Sequence, residues 1–152
     1  MLKVASYDIV FQEIPGEVTL ALNLSGCPCH CQGCHSPHLW EDTGEPLTDE
    51  LLDVLIDRYG TLITCVCFMG GDQAPEEVLE WAIKLKKQTG GMKMAWYSGR
   101  THFPEKEGFD YVKLGPYVET LGGLKSEKTN QRLYKRVGDE WQDITSAFWR
   151  HI

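Results

Sequence analysis

The sequence predicts an α/β fold in which helices wrap a parallel sheet, and three observations carry that prediction. Apolar runs short enough to be strands alternate with longer segments of helical periodicity. Four of these strand-like runs end in a glycine-containing turn, the expected junction between a strand and the next element. No internal repeat, low-complexity tract or Pro/Gly/Ser-rich linker interrupts the alternation.

Taken in order, "EVTLALNL" (17–24) places Val18, Leu20, Leu22 and Leu24 on one face with period two, and the preceding "IPGE" reads as a turn from an earlier extended piece. This strand runs directly into "CPCHCQGCH" (27–35). Thr48 then caps a helix whose first turn holds Asp49 and Glu50. Its apolar positions Leu51, Leu52, Leu55, Ile56 and Tyr59 recur at helical spacing until Gly60 ends it. "LITCVCFM" (62–69) is too short for a helix and reads as a strand buried on both faces, followed by Gly70-Gly71-Asp72. Pro75 opens a second helix, with Glu76 and Glu77 in its first turn, the stripe Val78, Leu79, Ala82 and Ile83, and a stop at Gly90-Gly91. "MKMAWYS" and "FDYVKLG" complete the set of strands.

The βαβα order fits either a barrel segment or an open doubly wound sheet. A closed eight-unit barrel needs about 250 residues, so 152 residues suffice only for an incomplete one, read as a single domain over 1–152. In either arrangement, function collects at the carboxyl ends of the parallel strands. The cysteine loop, Gly70-Gly71-Asp72, Ser98-Gly99-Arg100 and Leu114-Gly115-Pro116 are therefore expected on one rim.

Formal charge is 15 − 22 = −7 with no basic run, which argues against nucleic acid or an anionic membrane surface as partner. The opening residues lack the pattern of a signal peptide and no apolar run is long enough to span a bilayer, so a cytoplasmic location is expected. In that reducing setting six cysteines are poor material for disulfides, and the clustering of four of them points to a metal or redox site.

Cys27, Cys31 and Cys34 spell C-x3-C-x2-C. That spacing resembles the cluster-binding signature of the radical S-adenosylmethionine (SAM) enzymes, which implies three thiolates on one short loop reaching three irons of a 4Fe-4S cubane and leaving the fourth open. Cys29 falls outside that spacing and reads as a spare thiol. The rival reading is a zinc-binding interaction domain, since His30 and His35 lie among the cysteines. Structural zinc joins two knuckles, however, and Cys65 and Cys67 sit one residue apart in an apolar strand, where they read as small buried hydrophobes.

Beyond the C-x3-C-x2-C spacing, "CHSPHLWEDTGEPLT", "CVCFMGGD", "AWYSGR", "YVKLGPYVETLGGLKSEKTNQRLY" and "DITSAFW" resemble the anaerobic ribonucleoside-triphosphate reductase activating proteins, over most of residues 7 to 149. "CHSPHLW" is also similar to the corresponding stretch of pyruvate formate-lyase activating enzyme, and "TNQR" (129–132) favours the reductase activators. Gly33 stands where many radical SAM enzymes carry an aromatic residue, as is common in the activator group.

The resemblance implies a partial, laterally open βα barrel of the radical SAM type. It further implies one 4Fe-4S cluster on Cys27, Cys31 and Cys34, with SAM held at Gly70, Gly71 and Asp72 and assisted by Ser98 and Gly99. His35, Lys113 and Arg132 are further candidates for the SAM carboxylate or a partner. The implied activity is reductive cleavage of SAM and installation of a glycyl radical on anaerobic ribonucleoside-triphosphate reductase, with flavodoxin or ferredoxin as the kind of electron donor. Another glycyl radical enzyme, such as pyruvate formate-lyase, is the alternative protein substrate.

Overall fold

The structure, a computed structural model, describes residues 2–25, 44–104 and 108–149. They form an eight-stranded mixed sheet with two α-helices. In chain order these are β1 (Lys3–Val10), β2 (Thr19–Leu24), β3 (Glu45–Pro46), α1 (Asp49–Tyr59), β4 (Cys65–Met69), α2 (Pro75–Gln88), β5 (Lys93–Tyr97), β6 (Tyr111–Leu114), β7 (Arg132–Val137) and β8 (Glu140–Asp143). A 3-10 helix, Thr145–Trp149, comes last. The spatial order is β3-β1-β2-β4-β5-β6-β7-β8.

This corrects the expected partial barrel. Only β2, β4, β5 and β6 run parallel, while β1 and β3 on one side and β7 and β8 on the other pair antiparallel. A βα barrel needs a helix to cover each strand and return the chain in the same direction. Here hairpin-type connections reverse the chain at both edges, and the described residues contain two α-helices for eight strands. The result is a mixed sheet, mostly β.

The two helices form where the sequence places them. The Thr48 side chain accepts from the Leu51 amide at 3.2 Å, capping α1, and Pro75 opens α2. Both pack on one face of the sheet. Leu52 and Leu55 of α1 and Val78, Ala82 and Leu85 of α2 share a core with Leu20, Leu22, Leu24, Val66, Phe68, Met94, Trp96, Val112 and Leu114. Strand alternation sends Cys65, Cys67, Ala95, Tyr111 and Leu133 to the opposite face, where Ile14 and Leu124 cover them. Both faces of the central strands are thus dry, which explains their continuous apolar runs.

At the amino-terminal end of the parallel strands, buried Glu17 accepts hydrogen bonds from Thr64 Oγ1 (2.7 Å), Lys93 Nζ (2.7 Å) and Tyr111 Oη (2.8 Å). One carboxylate ties together the approaches to β2, β4, β5 and β6. Burial pushes its pKa up, but the three donors and the Lys93 charge outweigh burial and hold it below its ordinary value. Among the described residues, no helix is long and apolar enough to cross a membrane.

Candidate cofactor site

The opposite, carboxyl end of the parallel strands brings the sequence-predicted segments together. Asn23 pairs with Met69, Met69 with Tyr97, and Tyr97 with Lys113, so the four strands end nearly level. Leu24-Ser25, Gly70-Gly71-Asp72, Ser98-Gly99 and Leu114-Gly115 consequently emerge along one rim. The segment carrying Cys27, Cys29, Cys31, Cys34 and His35 lies outside the described residues.

Its root is described. Ser25 is fully buried, its amide donates to the Lys3 carbonyl at 3.0 Å, and its own carbonyl accepts from Gln73 Nε2 at 2.8 Å. Gln73, immediately after the acid of the Gly-Gly-Asp turn, therefore joins that turn to the residue from which the cysteine segment departs. Sequence reasoning missed this link, because a polar residue in a turn carries no signal of its partner.

Gly70 and Gly71 both adopt left-handed backbone, with φ of +97° and +84°. A Cβ on Gly71 would stand 2.7 Å from Val78 Cγ2 and 2.8 Å from Leu24 Cδ1, so only glycine fits between α2 and β2. The Gly70 carbonyl accepts from Trp96 Nε1 at 2.7 Å, and its amide donates to the Tyr97 carbonyl at 3.0 Å. The turn is held both from the neighbouring strand and from within, where the Ala74 amide donates to the Gly71 carbonyl at 3.0 Å.

Asp72 is 4% exposed. One carboxylate oxygen accepts from Ser98 Oγ at 2.5 Å and the other from the Gly99 amide at 3.0 Å, while Ser98 Oγ accepts in turn from the Arg100 amide at 3.0 Å. The acid thus braces the end of β4 against the turn after β5.

Lys113, also buried, donates from Nζ to the carbonyls of Ser98 (3.0 Å) and Gly115 (3.1 Å) and lies over the Tyr97 ring. Gln131 Nε2 reaches the same Gly115 carbonyl at 3.3 Å. The rim therefore carries a buried acid and a buried base, each bonded to Ser98: Asp72 at its hydroxyl, Lys113 at its carbonyl. Arg132 pairs through its backbone with Leu114, but its half-exposed side chain faces Asp143 at 3.7 Å and the Trp149 ring. Its guanidinium is committed to the carboxyl-terminal segment.

Cys65 and Cys67 are fully buried free thiols on the face away from the helices. Burial pushes the Cys65 thiol up to about 12 and that of Cys67 well above its ordinary value. Metal ligation requires the thiolate, so these two are unsuited to it. Among the described residues, no group of three His, Cys, Asp or Glu side chains could hold a metal ion.

A family model described as a 4Fe-4S single cluster domain matches residues 15–141, a span that includes the whole cysteine segment and all four strand ends of the rim. The chain belongs to the 4Fe-4S single cluster domain family. No curated protein and no solved structure matches it. For a 4Fe-4S single cluster domain the donor chemistry is consistent: its two described cysteines are protonated and sealed in the core, and the remaining four lie together in residues 27–34.

Proposed function

We propose that this 4Fe-4S single cluster domain is a radical SAM activase that installs a glycyl radical on anaerobic ribonucleoside-triphosphate reductase. The observation that carries the reading is the rim. The root of the cysteine segment, the Gly70-Gly71-Asp72 turn and the Ser98-Gly99 turn are joined by side-chain hydrogen bonds from Gln73 and Ser98. The residue from which the cysteine segment departs and a strand-end turn carrying two glycines and a carboxylate thus lie side by side, which supports a site for a sulfonium substrate with an amino-acid end.

In this reading Cys27, Cys31 and Cys34 hold the cluster, and Cys29 does not. When bound, the cluster supplies the electron, received from a low-potential donor such as flavodoxin or ferredoxin, that cleaves SAM to methionine and a 5′-deoxyadenosyl radical. That radical takes one hydrogen atom from a glycine α-carbon, leaving 5′-deoxyadenosine and the glycyl radical. Gly70 and Gly71 admit the methionyl end of SAM, Asp72 accepts from its ammonium, and buried Lys113 adds positive charge along the same rim. The reading does not depend on a barrel, since the chemistry resides in the strand-end turns.

The test is anaerobic. The iron-loaded protein, mixed with SAM, a reductant and the reductase of the same organism, is expected to give a glycyl-radical EPR doublet, together with methionine and 5′-deoxyadenosine. An intact cluster with a competent reductase and no doublet would refute the reading. A doublet on pyruvate formate-lyase alone would reassign the protein substrate.

A further inference from the structure

Besides Gln73, a second side chain at the start of α2 reaches the base of the cysteine segment. Glu77, which the sequence marks only as a first-turn acid, accepts through one carboxylate oxygen from the Leu2 amide at 2.9 Å and from Trp81 Nε1 at 3.3 Å. The carbonyl of buried Leu2 accepts in turn from the Leu47 amide at 2.8 Å. Leu47 follows β3, the first strand after the cysteine segment. Ahead of β3, Gly44 takes φ of +102°, and a Cβ there would run into the Val4 carbonyl oxygen. The returning chain is therefore seated directly on the head of β1.

The departing chain is seated on the next carbonyl along. Buried Ser25 donates its amide to the Lys3 carbonyl at 3.0 Å and accepts at its own carbonyl from Gln73 Nε2 at 2.8 Å. Successive carbonyls of an extended strand point to opposite sides. In the strand order β3-β1-β2, the cysteine segment thus leaves on one side of β1 and returns on the other. Both of its roots are tied to the start of α2, the exit through Gln73 and the return through Glu77 and Leu2. Gln73 itself lies in the tight turn closed by the Ala74 amide and the Gly71 carbonyl, the turn that carries Asp72. Because a peptide unit is planar, fixing the Ser25 carbonyl fixes the direction in which the chain leaves, two residues ahead of Cys27.

We infer that Gln73 and Glu77 are positioning residues that mount both roots of the cysteine segment on the element carrying the Gly70-Gly71-Asp72 turn, and so hold the cluster in register with the methionyl end of SAM. The inference rests on the proposed activase reading, because SAM cleavage at the cluster is the step that needs this register. A misplacement of about 1 Å between reacting groups can cost about a hundredfold in rate. Gln73 is exposed and Glu77 half-buried, while α2 builds its share of the core from Val78, Ala82 and Leu85. The register therefore depends on these two side chains more than the fold does.

The test uses the full chain reconstituted with iron under anaerobic conditions. It reads iron content, melting temperature, the EPR signal of the reduced cluster with and without SAM, and kcat for dithionite-driven SAM cleavage. Gln73→Met keeps the length but loses the donor, and Glu77→Leu loses the acceptor. Each is expected to hold wild-type iron, to lower kcat at least about tenfold, and to show an incomplete SAM-induced EPR change at a SAM concentration that completes it in wild-type protein. Glu77→Gln keeps an acceptor for the Leu2 amide and is expected to restore both readouts. Should Glu77→Leu melt early, Gln73→Met and Glu77→Gln decide the matter. A wild-type EPR response and kcat in Gln73→Met would overturn the inference, as would a loss of kcat that only follows loss of iron. Wild-type protein with an intact cluster that neither changes its EPR signal on addition of SAM nor cleaves SAM would instead refute the activase reading itself.

Discussion

Replacing Asp72 by alanine removes two hydrogen bonds at once, one from Ser98 Oγ at 2.5 Å and one from the Gly99 amide at 3.0 Å, in a site 4% exposed. Hydrogen bonds to a charged acceptor contribute about 1.5–3 kcal/mol each, and the buried donors left behind cannot all reach water. Simple addition overstates the effect, because Ser98 Oγ keeps its bond from the Arg100 amide and water can enter the space vacated. A loss of about 2–4 kcal/mol results. For a domain of this size each kcal/mol shifts Tm by about 2–4 °C, so a fall of roughly 5–15 °C is expected.

Asp72→Asn retains one acceptor and should lose about half as much. Anaerobic thermal denaturation of the iron-loaded protein, followed by circular dichroism, measures the shift, and calorimetry on the same samples measures SAM affinity. The brace predicts that both fall together in Asp72→Ala. A Tm within about 1 °C of wild type would refute the structural role, whatever happens to SAM.

At the other end of the strands, Glu17→Gln should destabilise the protein at neutral pH by about 1–3 kcal/mol, a range lowered because its Lys93 partner is 46% exposed. Since the folded pKa of Glu17 lies below its ordinary value of 4.5, this difference is fully present above that value and disappears as pH falls through the folded pKa; urea denaturation of both proteins across this range tests the sign. Single alanine replacements of Cys27, Cys31 and Cys34 should each lose cluster iron while Cys29→Ala retains it, and equal loss in all four would overturn the ligand assignment. After iron removal, iodoacetamide at about pH 8 should label the cysteines of residues 27–34 and leave Cys65 and Cys67 unreacted, because their thiols are buried and protonated; rapid labelling of either, seen by mass spectrometry, would contradict the fold.

Much of the central fold is legible in local pattern. Thr48 capping Leu51 and Pro75 opening α2 are dictated by spacing and residue type, and the structure agrees at both; the run "LITCVCFM" is a buried strand only from Cys65 onward, with Leu62 65% exposed ahead of it. The edges of the sheet are not legible in the same way. β7 and β8 flank the turn at Gly138-Asp139, but adjacent polar residues such as Lys135-Arg136 and Gln142-Asp143 break any period-two alternation, so the hairpin signal is weak. Reading the chain as a parallel repeat, without this hairpin, is what leads to an incomplete barrel.

The candidate site divides in the same manner. The cysteine spacing, the glycine pair and the acid are visible in sequence because chemistry demands those residue types close together along the chain. Gln73, Trp96 and Gln131 are not distinguishable there, because their importance comes from carbonyls of other segments.

What the sequence determined by itself was the clustering of four cysteines, the positions of both helices and the strand-end turns. Each of these depends on neighbours within a few residues. Tertiary structure alone decided that the sheet is mixed rather than a barrel, because strand direction depends on pairing between segments distant in the chain. It also decided that Asp72 braces Ser98 and that Gln73 and Glu77 reach Ser25 and Leu2. These bonds join groups that only a folded core brings within hydrogen-bonding distance, and a buried polar side chain must take the partner the fold supplies.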